Sequence, residues 1–177
     1  MYKGIAGSEG IGIGKAVLIE EHEISVKAKT VTDTDSEIAR LQDAIEKFVR
    51  DTTEMAARMD ETVGKKDADI LRGHIQMLQD PMIEEQISAL MLSEKITAEM
   101  AVDQVLEQTA EMFAQIPDEL LQQRATDFRD IKTRMLKILM GIEDVDISQV
   151  PAGTVLVARD LTPSMTAGIN PDNIAGI

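Results

Sequence analysis

Cysteine and tryptophan are absent from the 177 residues, and one Tyr with three Phe brings the aromatic content to only 2%. Without cysteine the chain has no disulfide, no thiolate nucleophile and no cysteine-ligated zinc, which suits a reducing compartment and a cytoplasmic location. With so few rings the core must be aliphatic and thioether, drawn from a 44% hydrophobic content that includes 11 Met. Positive charge is also scarce: 18 Lys+Arg face 32 Asp+Glu, a net charge of -14. That balance argues against a phosphate-neutralising nucleic-acid binder and favours a basic partner. No run of ~18 apolar residues exists to span a membrane, and the opening MYKGIAGSEGIGIGKAV has no continuous apolar signal core.

What is present is helical periodicity. Ile38, Leu41, Ile45, Phe48, Met55 and Met59 recur at three-four spacing, and Thr34 with Glu37 has the spacing of a capping box, so a long helix is predicted to start within 34–36. A second helix runs through Ile70, Leu71, His74, Ile75 and Leu78, is interrupted at Asp80-Pro81, and resumes with Ile83, Ile87 and Leu90. A third follows Thr97 as N-cap, with Ala101, Val102, Val105, Met112, Phe113 and Ile116 on its apolar face. A fourth, from Leu120 and Leu121 through Phe128, Ile131, Met135 and Leu139, is terminated by Gly141. These form an antiparallel helical bundle in residues 32–142. Short β-like runs, 14–19, 153–158 and 174–177, flank it. The bundle is thus expected as an insertion in one α/β unit made of residues 1–31 and 143–177. The pattern at Ile177 leads to the further expectation that the unit is incomplete and the chain a fragment.

The residues that could carry chemistry are few. Gly7, Gly10, Gly12 and Gly14 precede Lys15, but Glu9 and Ala16 stand where a P-loop needs glycine and Ser/Thr, so these glycines read as tight backbone turns. His22, among Glu20, Glu21 and Glu23, has no second histidine at ligand spacing and reads as a solvated acidic turn; no metal site is predicted. Neither His22 nor His74 lies in a nucleophile motif. His74 borders an apolar face and leaves two readings open: a packed core side chain or part of a docking surface. Gly73 beside it costs a helix about 1 kcal/mol relative to alanine, a cost usually offset by close approach of another backbone. Arg124 and Asp127, three residues apart, could form a surface ion pair worth under ~1 kcal/mol.

Taken in order, Gly4-Ile5 with Ser8-Glu9-Gly10-Ile11, Gly73-His74-Ile75, Arg124-Ala125-Thr126-Asp127-Phe128-Arg129-Asp130-Ile131 and Asp160-Leu161-Thr162-Pro163-Ser164 resemble the N-terminal part of enzyme I of the bacterial phosphoenolpyruvate:sugar phosphotransferase system. The resemblance spans essentially the whole chain. It implies a mostly α, α+β fold: a four-helix HPr-binding bundle inserted into a phosphohistidine (swivelling) α/β domain. It also implies an enzyme that passes phosphate from phosphoenolpyruvate through a histidine to the carrier HPr for sugar uptake. The family's acceptor histidine lies in a Gly-Gly-Arg-Thr-Ser-His motif beyond the position of Ile177, so no catalytic residue is expected here and the chain alone should be inactive. Matched residue by residue, the HPr-binding groove comprises Ile70, His74, Met77, Leu78 and Ile83, with Phe113, Leu120, Leu121 and Arg124 opposite; Thr166 matches a threonine that hydrogen-bonds the resting active histidine. No cofactor is expected in this chain. Magnesium, phosphoenolpyruvate binding and dimerisation belong to the family's C-terminal domain, a further partner.

Two departures bear on docking. Gly64-Lys65-Lys66-Asp67 stands where many members carry consecutive acids, and Met82 where Glu is common. Charge complementarity mainly sets on-rate and specificity, so docking here should be more apolar or meet compensating charges on HPr. The alternative is a stand-alone helical interaction module with a different partner.

Overall fold

The computed structural model describes residues 9–19, 24–142, 147, 150–159, 161–167 and 169–177. Gly4, Ile5, Gly7, Ser8, the Glu20–Glu23 group with His22, and Asp160 lie outside the described residues.

Helix α1 (Thr34–Thr62) begins where predicted, by a different device. Asp33 is its N-cap, accepting from the Ser36 amide at 3.1 Å. The predicted Thr34/Glu37 box does not form. Glu37 instead accepts at 2.9 Å from the Ala98 amide at the start of α4 (Ala98–Ala114), whose N-cap Thr97 makes no side-chain cap bond. A carboxylate is favoured there because the first amides of a helix lack intrahelical partners. Arg40 continues this junction, binding Glu37 and Glu99 and donating to the Leu139 carbonyl at 3.1 Å.

The interrupted second helix is two helices, α2 (Lys65–Leu78) and α3 (Pro81–Glu94). Pro81 opens α3 at a position where its missing N–H costs nothing, and Asp80 caps it, accepting from the Met82 amide at 2.8 Å. Asp118 caps α5 (Glu119–Met140), and Gly141, with φ +65°, ends it in the left-handed region.

The core runs between α1, α3, α4 and α5. Buried positions of α4 recur as Ala98, Ala101, Val102, Val105 and Leu106, a three-four stripe matched by Phe128, Ile131 and Met135 of α5. Aromatic scarcity is met by placement: Phe48 has no exposed surface, and the buried Arg134 guanidinium lies 4.3 Å above its ring while donating to Thr52 Oγ1 at 2.6 Å.

Strands β1 (Lys15–Leu18), β2 (Thr154–Val157) and β3 (Ile174–Gly176) form a parallel sheet in the order β1-β2-β3, with Val17 opposite Leu156 and Thr154 opposite Ile174. The connection from β1 to its parallel neighbour β2 contains all five long helices. Gly12 and Gly14 serve close approach rather than tight turns: a methyl on Gly12 would lie 1.8 Å from the Ala175 carbonyl oxygen, and one on Gly14 2.0 Å from that of Gly153, whereas Gly10, at φ +126° with open space around it, fits the turn reading. A four-residue helix, α6 (Pro163–Thr166), follows β2. Beside it Ala167 packs with Ala56, Met59, Ala68 and Leu71, joining the sheet side to α1 and α2.

Candidate functional site

Helix α2 turns Ala68, Leu71, His74 and Leu78 inward at spacings of three and four, and all four are fully buried. Ile70 is exposed and Met77 half-buried at the rim of this face. Across the seam, α5 presents Leu120 at 73% exposure, half-buried Leu121 and exposed Arg124. Arg124 Nη1 donates to Met77 Sδ at 3.5 Å and stands 3.6 Å from Asp127 Oδ2, so the two helices meet through a methionine and a cation. Phe113, half-buried on α4, stacks on Phe128 with centroids 5.5 Å apart.

Three residues expected on the docking surface are not on it. His74 and Leu78 have no exposed surface and Ile83 retains 7%, because each lies on the inward face of its helix. Conversely, Met112 and Ile116, read as inward on the third helix, are 62% and 38% exposed near its end, and Met82 is 65% exposed. Past Ala110 no residue of α4 is buried, so its last turn projects beyond the core. The close backbone approach expected at Gly73 is not found. A methyl there would meet the Arg124 guanidinium at 3.8 Å, an ordinary contact.

His74 is held between two carboxylates, Nε2 at 3.4 Å from Asp127 Oδ1 and Nδ1 at 3.5 Å from Asp130 Oδ2. Both lie on α5, one turn apart, which aims both acids at one point. Asp130 is buried, and its other oxygen accepts the Ser164 hydroxyl of α6 at 2.8 Å; that hydroxyl is 2.9 Å from Thr162 Oγ1. One polar chain therefore runs inward from Met77 through Arg124, Asp127, His74, Asp130 and Ser164. Periodicity could have signalled Asp127 and Asp130, three apart on a helix with a buried face, but nothing local tied them to His74 or Ser164. Among the described residues no group of three or more His, Asp or Glu could hold a metal ion, and no helix is long and apolar enough to cross a membrane.

Residues 3–124 match the family model described as PEP-utilising enzyme, N-terminal. The chain belongs to this family. It is 35% identical to a phosphoenolpyruvate-protein phosphotransferase of Haemophilus influenzae over its whole length and 31% of that protein. It is 33% identical to one of Mycoplasma capricolum over 98% of the chain and 30% of that protein. It thus spans under a third of the length of these relatives, which are transferases by name. An NMR solution structure of an Enzyme I (nEIt) protein superposes with a TM-score of 0.86 at 32% identity, covering 98% of this chain and 71% of that one. A second, the N-terminal domain of Enzyme 1 - Nitrogen, gives 0.68 at 25% identity over 94% and 68%. The chain is accordingly mostly helical with a small parallel sheet, and shares its fold with these solved neighbours.

Proposed function

We propose that the chain serves as the partner-docking N-terminal module of a phosphoenolpyruvate-protein phosphotransferase of the enzyme I type. In this reading residues 32–142 are the docking unit. Residues 1–31 and 143–177 belong to the unit that positions a phosphorylatable histidine supplied outside this chain, with Thr166 on α6 beside it. The transferred phosphoryl group comes from phosphoenolpyruvate by way of the C-terminal domain, and HPr receives it in the cytoplasm. Neither His22 nor His74 is the acceptor. His74 is enclosed on both nitrogens by carboxylates, which repel a phosphoryl donor.

One observation carries the docking reading: exposed apolar side chains gather around the exposed Arg124 guanidinium at the α2–α5 seam, in a chain whose whole length aligns with part of these relatives. Ile70, Met77, Leu120 and Leu121 supply a central apolar patch and Arg124 a charged rim, the usual make-up of a transient interface. Leu78, Ile83 and His74 support the patch from beneath, and Phe113 from α4. Exposed Met82 and Met112 extend it with side chains that adapt to a partner's shape. The net charge of -14 attracts a basic carrier surface, while Lys65 and Lys66 at the start of α2 weaken that attraction locally.

The test is an NMR titration of labelled chain with HPr. Shifts clustered at Ile70, Met77, Leu120, Leu121 and Arg124 are expected, and Leu120→Asp should weaken binding by about 2 kcal/mol with the fold intact. Saturating HPr that moves no amide of α2 or α5 removes HPr as the partner.

A further inference from the structure

The polar chain beneath the seam contains one element with two arrangements. A neutral imidazole donates from one nitrogen and accepts at the other. His74, with no exposed surface, has a carboxylate oxygen 3.4–3.5 Å from each nitrogen, and neither nitrogen makes a formed hydrogen bond among the described residues, so either carboxylate can be engaged by a small ring movement. It can therefore donate from Nε2 to Asp127 or from Nδ1 to Asp130, and the unserved carboxylate must rely on its second partner. For Asp127 that partner is Arg124, at the exposed seam; for Asp130 it is Ser164, on α6.

We propose that His74 is a tautomeric switch that couples the docking seam to α6. Whatever draws Arg124 away strips Asp127 of its nearby cation and makes it the hungrier acceptor. The proton of His74 then moves to Nε2, and Asp130, losing the imidazole N–H, holds the Ser164 hydroxyl more firmly. In reverse, loosening Ser164 calls the proton to Nδ1 and leaves Asp127 to Arg124. No proton is gained or lost from the protein; it changes nitrogen. Coupling of this kind needs a discrete two-state element that both ends bias, and the imidazole between Asp127 and Asp130 is one. The sense of the signal rests on the docking reading: a partner acceptor group engaging Arg124 tightens α6, the helix that carries Thr166. His74, Asp130 and Ser164 are on this account positioning residues and not docking residues.

The switch is testable without any partner. Two-bond proton–nitrogen correlation spectra of the labelled chain identify which His74 nitrogen bears the proton. Arg124→Met is expected to move the population toward Nε2–H and Ser164→Ala toward Nδ1–H, with Ser164→Thr, which restores a hydroxyl, returning the wild-type spectrum. Amides of residues 161–167 should shift in Arg124→Met, and that shift should vanish in the Arg124→Met/Ser164→Ala double variant. The idea fails if His74 carries protons on both nitrogens at neutral pH, if the two single variants move the ring in the same direction, or if α6 amides respond to Arg124→Met regardless of Ser164. Should HPr leave the seam untouched while the opposed tautomer shifts appear, the docking reading fails and the switch stands.

Discussion

The helical region and the sheet region of this chain are stabilised in different ways. Among the described residues, the main cluster between α1, α3, α4 and α5 holds 19 buried hydrophobic residues, whereas the sheet cluster holds four, Ile19, Ile147, Val150 and Leu156. The first is built by repetition: each helix supplies a stripe, and every stripe residue meets others from neighbouring helices. The second is built on backbone: two glycines let strand-flanking segments approach carbonyls that any side chain would strike, and the packed residues are few. Periodic burial distributes stability over many positions, while close backbone packing concentrates it at a handful. The two regions meet at α6, through Ala167 against α1 and α2 and through Ser164 to Asp130.

The comparison can be broken or sharpened by substitutions of decreasing effect. Phe48→Ala should cost about 4 kcal/mol, since it empties a central site and removes the ring beneath Arg134. Chemical denaturation followed at 222 nm measures it; a loss below ~1 kcal/mol would mean the bundle does not depend on this buried ring. His74→Ala should cost roughly 3 kcal/mol, leaving a void and two carboxylates without their facing ring nitrogens. A neutral result would return His74 to the surface. Leu156→Ala should cost about 2 kcal/mol and speed hydrogen exchange in β1 and β2 while leaving α4 and α5 protected. Equal loss of protection in the helices would show that the two regions unfold as one.

Two smaller effects lie within the helical region. Gly73→Ala should stabilise α2 by about 1 kcal/mol, because alanine is the better helix former and its methyl meets Arg124 only at 3.8 Å. A drop in melting temperature would reveal a tighter seam. The smallest concerns Glu107 of α4. Partial burial pushes its carboxyl pKa up, but hydrogen bonds from Lys132 at 2.6 Å and Arg129 at 3.0 Å outweigh that and hold it below the ordinary 4.5. A lowered folded-state pKa gives stability that is fully present above 4.5 and is lost as pH falls through the folded value. Glu107→Gln should therefore flatten the acid limb of the stability curve below about pH 4.5 and change nothing in its slope at pH 7; an unchanged acid limb would refute it.

How much of this was legible from residues alone follows the same division. Helical spacing marked the long helices from Ile38 to Leu139, and local chemistry marked their ends: Gly141 as a left-handed stop, and the break at Asp80-Pro81. These succeed because a three-four apolar pattern and a cap are properties of one helix. The capping box at Thr34 failed because Glu37 had a better-placed donor in the Ala98 amide, 61 residues away. His74, Leu78 and Ile83 failed as surface residues for a related reason. The resemblance named the right helices, but which side of α2 and α3 faces the rest of the bundle depends on how the helices rotate against each other.

The sequence by itself determined where helices start and stop, which stretches flank them as strands, and that the core would be aliphatic, since each follows from side-chain period, backbone propensity and composition. Only the tertiary structure decided that Glu37 caps α4, that Gly12 and Gly14 face carbonyls, that Met112 and Ile116 turn outward, and that His74 is enclosed by Asp127 and Asp130 with Ser164 behind them. Each of those depends on two distant segments meeting at angstrom precision, and the spacing of residues along one segment carries no record of what will lie across from it.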